Sequence, residues 1–315
     1  MSLVPLKVFH SAPFDDQLCF ITKNKSYQYS TLDACDVIIH HEVSRRPVAT
    51  FKLIKELKAQ YPTNKKIIIF IIHDFEGKYP KFSNIILIRT SLKASLIQPN
   101  EMVMPYIWES AEEPFPISDP TPKPMIGFCG LVSKHRKKLV QVFNASDDVE
   151  CDFILREKFW GGAPNNAEMA KEFNNNLRDN QYILANRGAG NYSMRFYQAL
   201  AAGRIPILIN TDVKLPFEDK INWANLIILE KDAEACLAKT IKVHQEGRYQ
   251  EMQKMCSDIF RRFLSKENLF DHISNQLITQ GMLVPEGEGS NPNLLYWKLT
   301  KILQQVKLAL SFNFF

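Results

Sequence analysis

The sequence predicts an α/β protein made of two similar halves. Short apolar strand candidates alternate with amphipathic helix candidates along most of the 315 residues, as in parallel sheets covered by helices. A chain of this length exceeds the usual size of a single domain. The segment 111–124 contains five prolines, which cannot continue a helix or a central strand. We therefore predict two domains, at 1–112 and 125–290, joined by a linker at 113–124.

The first domain opens with short strands and contains one long apolar run. Its predicted strands are Val8–His10, Leu18–Thr22, Val37–His41, Ile67–His73 and Ile85–Arg89, and its predicted helix is Thr50–Gln60. The run Ile67–His73 is rich in isoleucine, which is typical of a parallel strand buried on both faces.

The second domain repeats the alternation after the linker. Its predicted strands are Met125–Cys129, Asp152–Leu155, Tyr182–Ala185, Ile205–Ile209 and Leu226–Leu229, and its predicted helices are Lys134–Phe143, Asn166–Leu177, Tyr192–Ala202 and Ala233–Glu246. Residues 291–315 form a separate segment, in which Leu294–Leu310 is expected to be a helix that crosses back over the domains.

The loop before the helix at Tyr192–Ala202 is the most informative feature of the chain. It contains Arg187, Gly188 and Gly190 between a strand and a helix, the position where βαβ units bind phosphate. Glycines let backbone N–H groups approach an anion, and the start of a helix adds partial positive charge. Arg187 and Arg195 flank this point with forked donors that suit phosphate oxygens.

Composition excludes several classes of protein. The net charge of +5 is compatible with an anionic ligand but too small and scattered for a nucleic-acid track. The six cysteines contain no C-x-x-C pair, which favours free thiols in a reducing compartment over a zinc site. No apolar run reaches the roughly 18 residues of a membrane span. We therefore expect a cytoplasmic protein.

The stretch from Ser193 to Trp223 resembles the C-terminal domain of the exostosin family, glycosyltransferase family 47. The family pattern is close to S-x-R-x-x-E-A-L-x-x-G-x-I-P-V, followed by L-P-F and I-N-W. Matching residues here are Ser193, Arg195, Ala199, Leu200, Gly203, Ile205, Pro206, Leu215–Pro216–Phe217 and Ile221–Asn222–Trp223. Upstream, Gly130 and Arg136 match the family's glycine-then-arginine segment. The resemblance covers about half the chain.

The resemblance implies a GT-B fold, in which two Rossmann-like domains face each other. It implies an inverting transfer of a sugar from a nucleotide donor, most often a UDP-sugar. The residues expected to bind the donor are Gly130, Arg136, Arg187, Gly188, Gly190, Ser193, Arg195, Gln198, Pro216 and Phe217. Gln198 stands where the family has glutamate, and Arg204 replaces a cysteine and could add one more cation.

An inverting transfer needs a base for the acceptor hydroxyl. By analogy the base comes from the first domain, where His40–His41–Glu42 and His73–Asp74 each follow a predicted strand. We expect Asp74 to be the base and Glu42 to be the second candidate. The sequence contains no Asp-x-Asp, so we expect the arginines to replace a metal ion and no cofactor beyond the nucleotide sugar.

The sequence thus predicts a metal-independent glycosyltransferase that acts on a glycan or glycoconjugate acceptor in polysaccharide biosynthesis. A bacterial or viral origin is favoured, with contact to a membrane surface through the last helix as an option. Two alternatives remain: a retaining GT-B enzyme, and a non-catalytic subunit that binds nucleotide or glycan. A nucleic-acid binder ranks last because no aromatic-basic motif is present.

Overall fold

The computed structural model describes residues 5–14, 18–61, 64–106, 114–158 and 166–283, which group into two compact units. The first unit takes the chain up to Met104 and again from Lys266, and the second takes Pro105–Ser265. The chain therefore rejoins its first unit after Ser265, whereas the sequence placed everything up to residue 290 in the second domain. The helix predicted within 291–315 lies outside the described residues.

The first unit is built on a parallel sheet of six strands in the order β2-β1-β3-β4-β5-β6. The strands are β1 (Leu6–His10), β2 (Tyr27–Tyr29), β3 (Val37–Glu42), β4 (Lys66–Ile71), β5 (Ile85–Arg89) and β6 (Glu101–Val103). Helix α1 (Pro47–Gln60) packs Phe51, Ile54 and Leu57 onto this sheet. Every residue of β4 is buried, as its continuous apolar sequence predicts.

The strand predicted at Leu18–Thr22 is wrong. Residues Cys19–Lys23 form a 3₁₀ helix instead. Ile21 in this helix and Leu18 just before it are buried. Local hydrogen bonds stabilise the turn: the Thr22 hydroxyl donates to the Cys19 carbonyl at 2.8 Å, and the Asn24 amide donates to the Phe20 carbonyl at 3.0 Å. Side chains that bond to nearby backbone compete with extended structure, which explains the error.

Two contacts fasten the end of the described chain to the first unit. The Asn24 amide donates to the Lys266 carbonyl at 3.0 Å. Helix α7 (Leu269–Thr279) follows, and the carboxylate of its Asp271 accepts the Ser26 N–H at 2.7 Å. These contacts are the physical basis for grouping α7 with the first unit.

The second unit is built on a parallel sheet of five strands in the order β11-β10-β9-β7-β8. The strands are β7 (Met125–Leu131), β8 (Glu150–Arg156), β9 (Tyr182–Leu184), β10 (Ile205–Ile209) and β11 (Ile228–Glu230), and the helices are α2 (Lys134–Asn144), α3 (Ala167–Asp179), α4 (Met194–Ala201), α5 (Ala233–Gln245) and α6 (Tyr249–Ile259). The direction of winding reverses between β7 and β9, where Ile126 pairs with Tyr182. Such a switch point leaves a crevice at the carboxyl ends of the strands, and ligands bind there.

Arg204 is a structural residue of the second unit, and its predicted role as an added cation near the ligand is wrong. The side chain is 2% exposed and donates to the carbonyls of Leu177, Pro116, Gly203 and Arg178 at 2.8–3.2 Å. Its guanidinium N–H groups are thus engaged by backbone that would otherwise be unsatisfied. With two parallel sheets and flanking helices, the predicted α/β class is confirmed.

Candidate functional site

Arg195 lies at the switch point of the second sheet. Ser193 is the extended residue before α4, with φ −137° and ψ 130°, so Arg195 falls in the first turn of that helix. Its guanidinium Nη2 donates to the carbonyl of Cys129 in β7 at 2.6 Å and packs over the Phe128 ring, 4.6 Å from the centroid. The residue is only 8% exposed, yet Nε and Nη1 have no hydrogen-bond partner among the described residues.

Arg136 comes to the same place from the first turn of α2. Its Nη1 donates to the Leu131 carbonyl at 3.0 Å and its Nε to the Asn186 carbonyl at 3.3 Å, at the carboxyl ends of β7 and β9. Nη2 lies close to the loop after β9, 3.4 Å from where a Cβ at Gly188 would be. The residue is 9% exposed.

Arg136 and Arg195, here called the arginine pair, repel each other in a buried place. Burial first, and the charge of Arg136 second, lower the pKa of Arg195 to about 9. Burial also lowers the pKa of Arg136. Neither side chain forms an ion pair with a carboxylate in the part of the chain that the structure describes. Buried cations without a counter-charge are costly, so this place favours a bound anion.

Two of the predicted glycines make room for the arginine pair. Gly130 has φ 151°, and a Cβ there would collide with Arg195 Nη2. Gly188 donates its N–H to the Tyr192 carbonyl at 3.0 Å, so this N–H is engaged within the loop. The sequence predicts loop N–H groups that face the anion, but the space beside Gly188 holds the Arg136 guanidinium instead.

The other predicted donor-binding residues are more dispersed. Arg187 is half-buried and donates to the Ala189 carbonyl at 2.9 Å. Gly190 is buried in the same loop, and Gln198 lies one turn beyond Arg195 on α4 with partial exposure. The structure therefore brings Gly130, Arg136, Gly188 and Arg195 together most closely.

Pro216 and Phe217 lie in the interior of the second unit. Trp223 donates its indole N–H to the Pro216 carbonyl at 2.9 Å. Phe217 is 2% exposed, and its ring centroid is 6.4 Å from that of Phe263. These contacts explain the L-P-F and I-N-W matches by packing, because the indole bonds back to the proline of the first motif.

The two candidate bases of the first unit differ in availability. Glu42, at the end of β3, is buried and accepts the Ser44 N–H at 2.6 Å. Asp74 follows β4 and is exposed. The neighbouring His73 is buried, and burial and Arg89 lower its pKa to about 4. It receives the Phe75 N–H at 3.2 Å and contacts the Tyr79 hydroxyl at 2.8 Å, which makes it a structural neutral histidine.

Sequence reasoning missed two asparagines that hold the loop after β9. The buried Asn186 donates through Nδ2 to the His135 carbonyl at the start of α2 and accepts the Ile209 N–H at 3.1 Å. Asn191 donates to the Thr211 and Asp212 carbonyls at 3.1 and 3.0 Å. Asparagine in a glycine-containing loop is typical of a turn. Only the distant hydrogen-bond partners show that these two side chains hold the loop in place.

Among the described residues, no group of three or more histidine, cysteine, aspartate or glutamate side chains could hold a metal ion. No described helix is long and apolar enough to cross a bilayer.

The second unit is a Rossmann-like domain with two buried arginines at the switch point of its sheet. Residues 119–243, which lie in this unit, match the model of the Exostosin GT47 domain, so this part of the chain is similar to that domain. The match confirms the resemblance of the motifs, and each of the two units contains the parallel sheet that the resemblance implied.

Two curated relatives share this region. Exostosin-1 of Drosophila melanogaster is 32% identical over 106 residues, which cover 31% of this chain and 14% of the relative. The Exostosin-1 homolog of Caenorhabditis elegans is 26% identical over 105 residues, which cover 32% of this chain and 27% of the relative. The similarity thus spans only a minor part of either relative.

Solved glycosyltransferases show a looser likeness. An α1,3-fucosyltransferase structure has a TM-score of 0.42 at 15% identity, with 80% of this chain and 82% of that chain covered. A structure of TarM has a TM-score of 0.44 at 11% identity, with 76% and 54% covered.

Proposed function

We propose that this protein transfers a sugar from a nucleoside diphosphate sugar to a hydroxyl of a glycan or glycoconjugate, with UDP-sugars as the first candidates. One observation supports this most directly: the glycosyltransferase domain contains two buried arginines without a carboxylate partner among the described residues. They lie at the switch point of a parallel sheet, where such folds bind nucleotides.

The leaving group explains the arrangement chemically. As the bond between the anomeric carbon and the diphosphate breaks, its electron pair stays on the phosphate oxygen and adds negative charge there. Arg195 Nε and Nη1 have no hydrogen-bond partner among the described residues. In the proposed reaction they donate hydrogen bonds to this negatively charged oxygen. Removing one such preorganised donor typically costs about 3 kcal/mol in the transition state.

The proposal includes inversion and independence of a metal ion. Inversion requires that a base removes the acceptor's proton while the acceptor oxygen bonds to the anomeric carbon. Asp74 is the first candidate because it is exposed, whereas the Glu42 carboxylate already accepts a backbone N–H. If the arginine pair supplies the positive charge, turnover should be unchanged by EDTA, and restoration by Mg²⁺ or Mn²⁺ of EDTA-sensitive activity would contradict this part.

A thermal-shift screen against UDP-, GDP-, CMP- and dTDP-sugars tests donor binding. A donor at roughly 100 times its Kd should add about 2.7 kcal/mol of stability. Arg195→Ala should abolish the shift, and an unchanged shift in this variant would remove Arg195 from the site. Release of the nucleoside diphosphate in the presence of acceptor then tests turnover.

Two alternatives are outcomes of the same experiments. A product with the donor's anomeric configuration, measured by NMR, would identify a retaining enzyme. Binding without turnover would identify a non-catalytic partner subunit, for which Gln198 in place of the family's glutamate is the specific observation. The proposal also includes a reducing cytoplasm as the location, since the six cysteines form no disulfide bond with one another.

A further inference from the structure

A surface pocket with a volume of about 520 Å³, open to solvent, lies at the carboxyl ends of β10 and β11. We call it the β10–β11 cavity, and its lining residues are Asn210, Asp212, Leu229, Glu230 and Lys231. Its volume falls in the range of small-molecule sites. It belongs to the same edge of the same sheet as the arginine pair. Two strand spacings, about 10 Å, separate the β7–β9 boundary from the β10–β11 boundary.

Direct hydrogen bonds connect the cavity to the loop beside the arginine pair. Asn191 in that loop donates to the carbonyls of Thr211 and Asp212, and the Thr211 hydroxyl donates back to the Asn191 Oδ1. Asn186 accepts the N–H of Ile209, the last residue of β10. The cavity wall and the anion-binding loop are therefore held in a fixed relation.

The polar groups of the cavity suit a neutral, hydroxyl-rich ligand. Glu230 is half-buried, and its carboxylate forms no hydrogen bond or ion pair with the described residues. Asn210 is exposed and uses Oδ1 to accept the Asp212 N–H at 2.9 Å, which leaves its two Nδ2 hydrogens as donors. A carboxylate can accept two hydrogen bonds at once, which fits adjacent hydroxyls on a sugar ring.

We propose that the β10–β11 cavity binds a sugar ring of the donor, with Glu230 accepting hydrogen bonds from neighbouring hydroxyls. This inference rests on the proposed function, because the arginine pair must bind the diphosphate to which the sugar is attached. It also gives a physical account of Gln198: a charged acceptor for hydroxyls is present, but on β11 and not on α4.

A nucleoside diphosphate sugar offers two such rings, the ribose and the transferred sugar. Both present adjacent hydroxyls, and Glu230 would bind either by the same chemistry. Pyrophosphate contains neither ring, UDP adds the ribose together with the uracil base, and the UDP-sugars add the transferred sugar. The step of this series at which Glu230 begins to matter distinguishes the nucleoside from the transferred sugar.

The test compares wild-type protein with Glu230→Gln by isothermal titration with pyrophosphate, UDP, UDP-glucose and UDP-N-acetylglucosamine. The substitution should leave pyrophosphate affinity unchanged. A loss of about tenfold for UDP and both UDP-sugars would place the ribose in the cavity, and a loss restricted to the UDP-sugars would place the transferred sugar there. Glu251→Gln, an exposed position on α6, makes the same charge change and should alter nothing.

Three results would overturn the inference. Glu230→Gln could affect no ligand, or it could weaken pyrophosphate as much as the others, which would indicate a general electrostatic or structural effect. Wild-type protein could also bind pyrophosphate without gaining affinity for UDP or the UDP-sugars. Failure of the proposed function looks different, because wild-type protein would then bind none of these ligands, or Arg195→Ala would bind all of them normally.

Discussion

At the scale of single residues, two buried arginines have opposite roles in the second unit. Arg204 donates to four backbone carbonyls, whereas Arg195 donates to one and has two donor atoms without a partner among the described residues. The sequence predicted both arginines as cations near the ligand. Their hydrogen bonds distinguish them, and they predict opposite effects of the same substitution.

Arg195→Met should leave the ligand-free protein equally stable or make it more stable. Replacing a buried charge by an apolar side chain of similar size is often neutral or stabilising by about 1–4 kcal/mol. The same variant should lose the thermal shift with UDP. Urea unfolding and the nucleotide screen measure the two effects, and a large loss of stability would show that Arg195 is structural.

Arg204→Met is the matched substitution. It leaves several carbonyls without a donor and should lower the free energy of unfolding by about 3 kcal/mol. UDP should still raise the midpoint of thermal unfolding of this variant, starting from its lower ligand-free value. Equal stability of wild type and variant would contradict the structural role.

Gly130→Ala should abolish nucleotide binding in a folded protein. The new Cβ would collide with Arg195 Nη2 and force the guanidinium out of place. Gly247→Ala is the control, because Gly247 has φ 69° but nothing lies within 4 Å of its added Cβ. It should cost about 1 kcal/mol from backbone strain alone and keep the UDP shift. Similar UDP shifts in both variants would refute the steric argument.

At the scale of elements, the loop between β9 and α4 is held by asparagine side chains. Asn186 joins the start of α2 to the end of β10, and Asn191 joins the loop to the residues after β10. The sequence predicted the βαβ unit and its loop, because apolar strands and glycines are local signals. It could not predict which carbonyls the asparagines bond, since these partners come from distant parts of the chain.

Asn186→Ala should destabilise the second unit by about 2 kcal/mol and weaken nucleotide binding, since it removes the part-buried hydrogen bonds to the His135 carbonyl and from the Ile209 N–H. Asn166→Ala, at the cap of α3, should cost about 1 kcal/mol and leave binding unchanged. Denaturant unfolding and the UDP shift measure both effects. Unchanged binding in Asn186→Ala would show that the loop keeps its position without this link.

At the scale of the whole molecule, each unit has its own parallel sheet. A ligand or a change of pH can therefore alter the stability of one unit alone. A nucleotide bound at the arginine pair should stabilise the second unit. The first unit contains a buried histidine, His73, whose pKa is lowered from 6.5 to about 4 by burial and by Arg89.

The first unit should therefore lose stability in mild acid. Between pH 6.5 and about 4 the unfolded chain binds a proton at His73 that the folded chain does not. Stability thus falls as the pH drops through this window, by about 3 kcal/mol in full. Hydrogen exchange of first-unit amides at pH 7 and pH 4.5 measures this loss. His73→Gln should flatten the dependence, and an equally steep loss in that variant would assign it to other groups.

The sequence by itself determined the α/β class, the strand–loop–helix around Arg195 and the similarity of residues 119–243 to the Exostosin GT47 domain, because hydrophobic periodicity and short-range motifs are local properties. Only the tertiary structure brought Arg136 beside Arg195, buried Pro216 and Phe217 in the interior and returned α7 to the first unit. Whether a buried polar group is satisfied depends on partners far away in the chain. Counting these partners distinguishes Arg204, which donates to four backbone carbonyls, from Arg195, which has two donor atoms without a partner among the described residues.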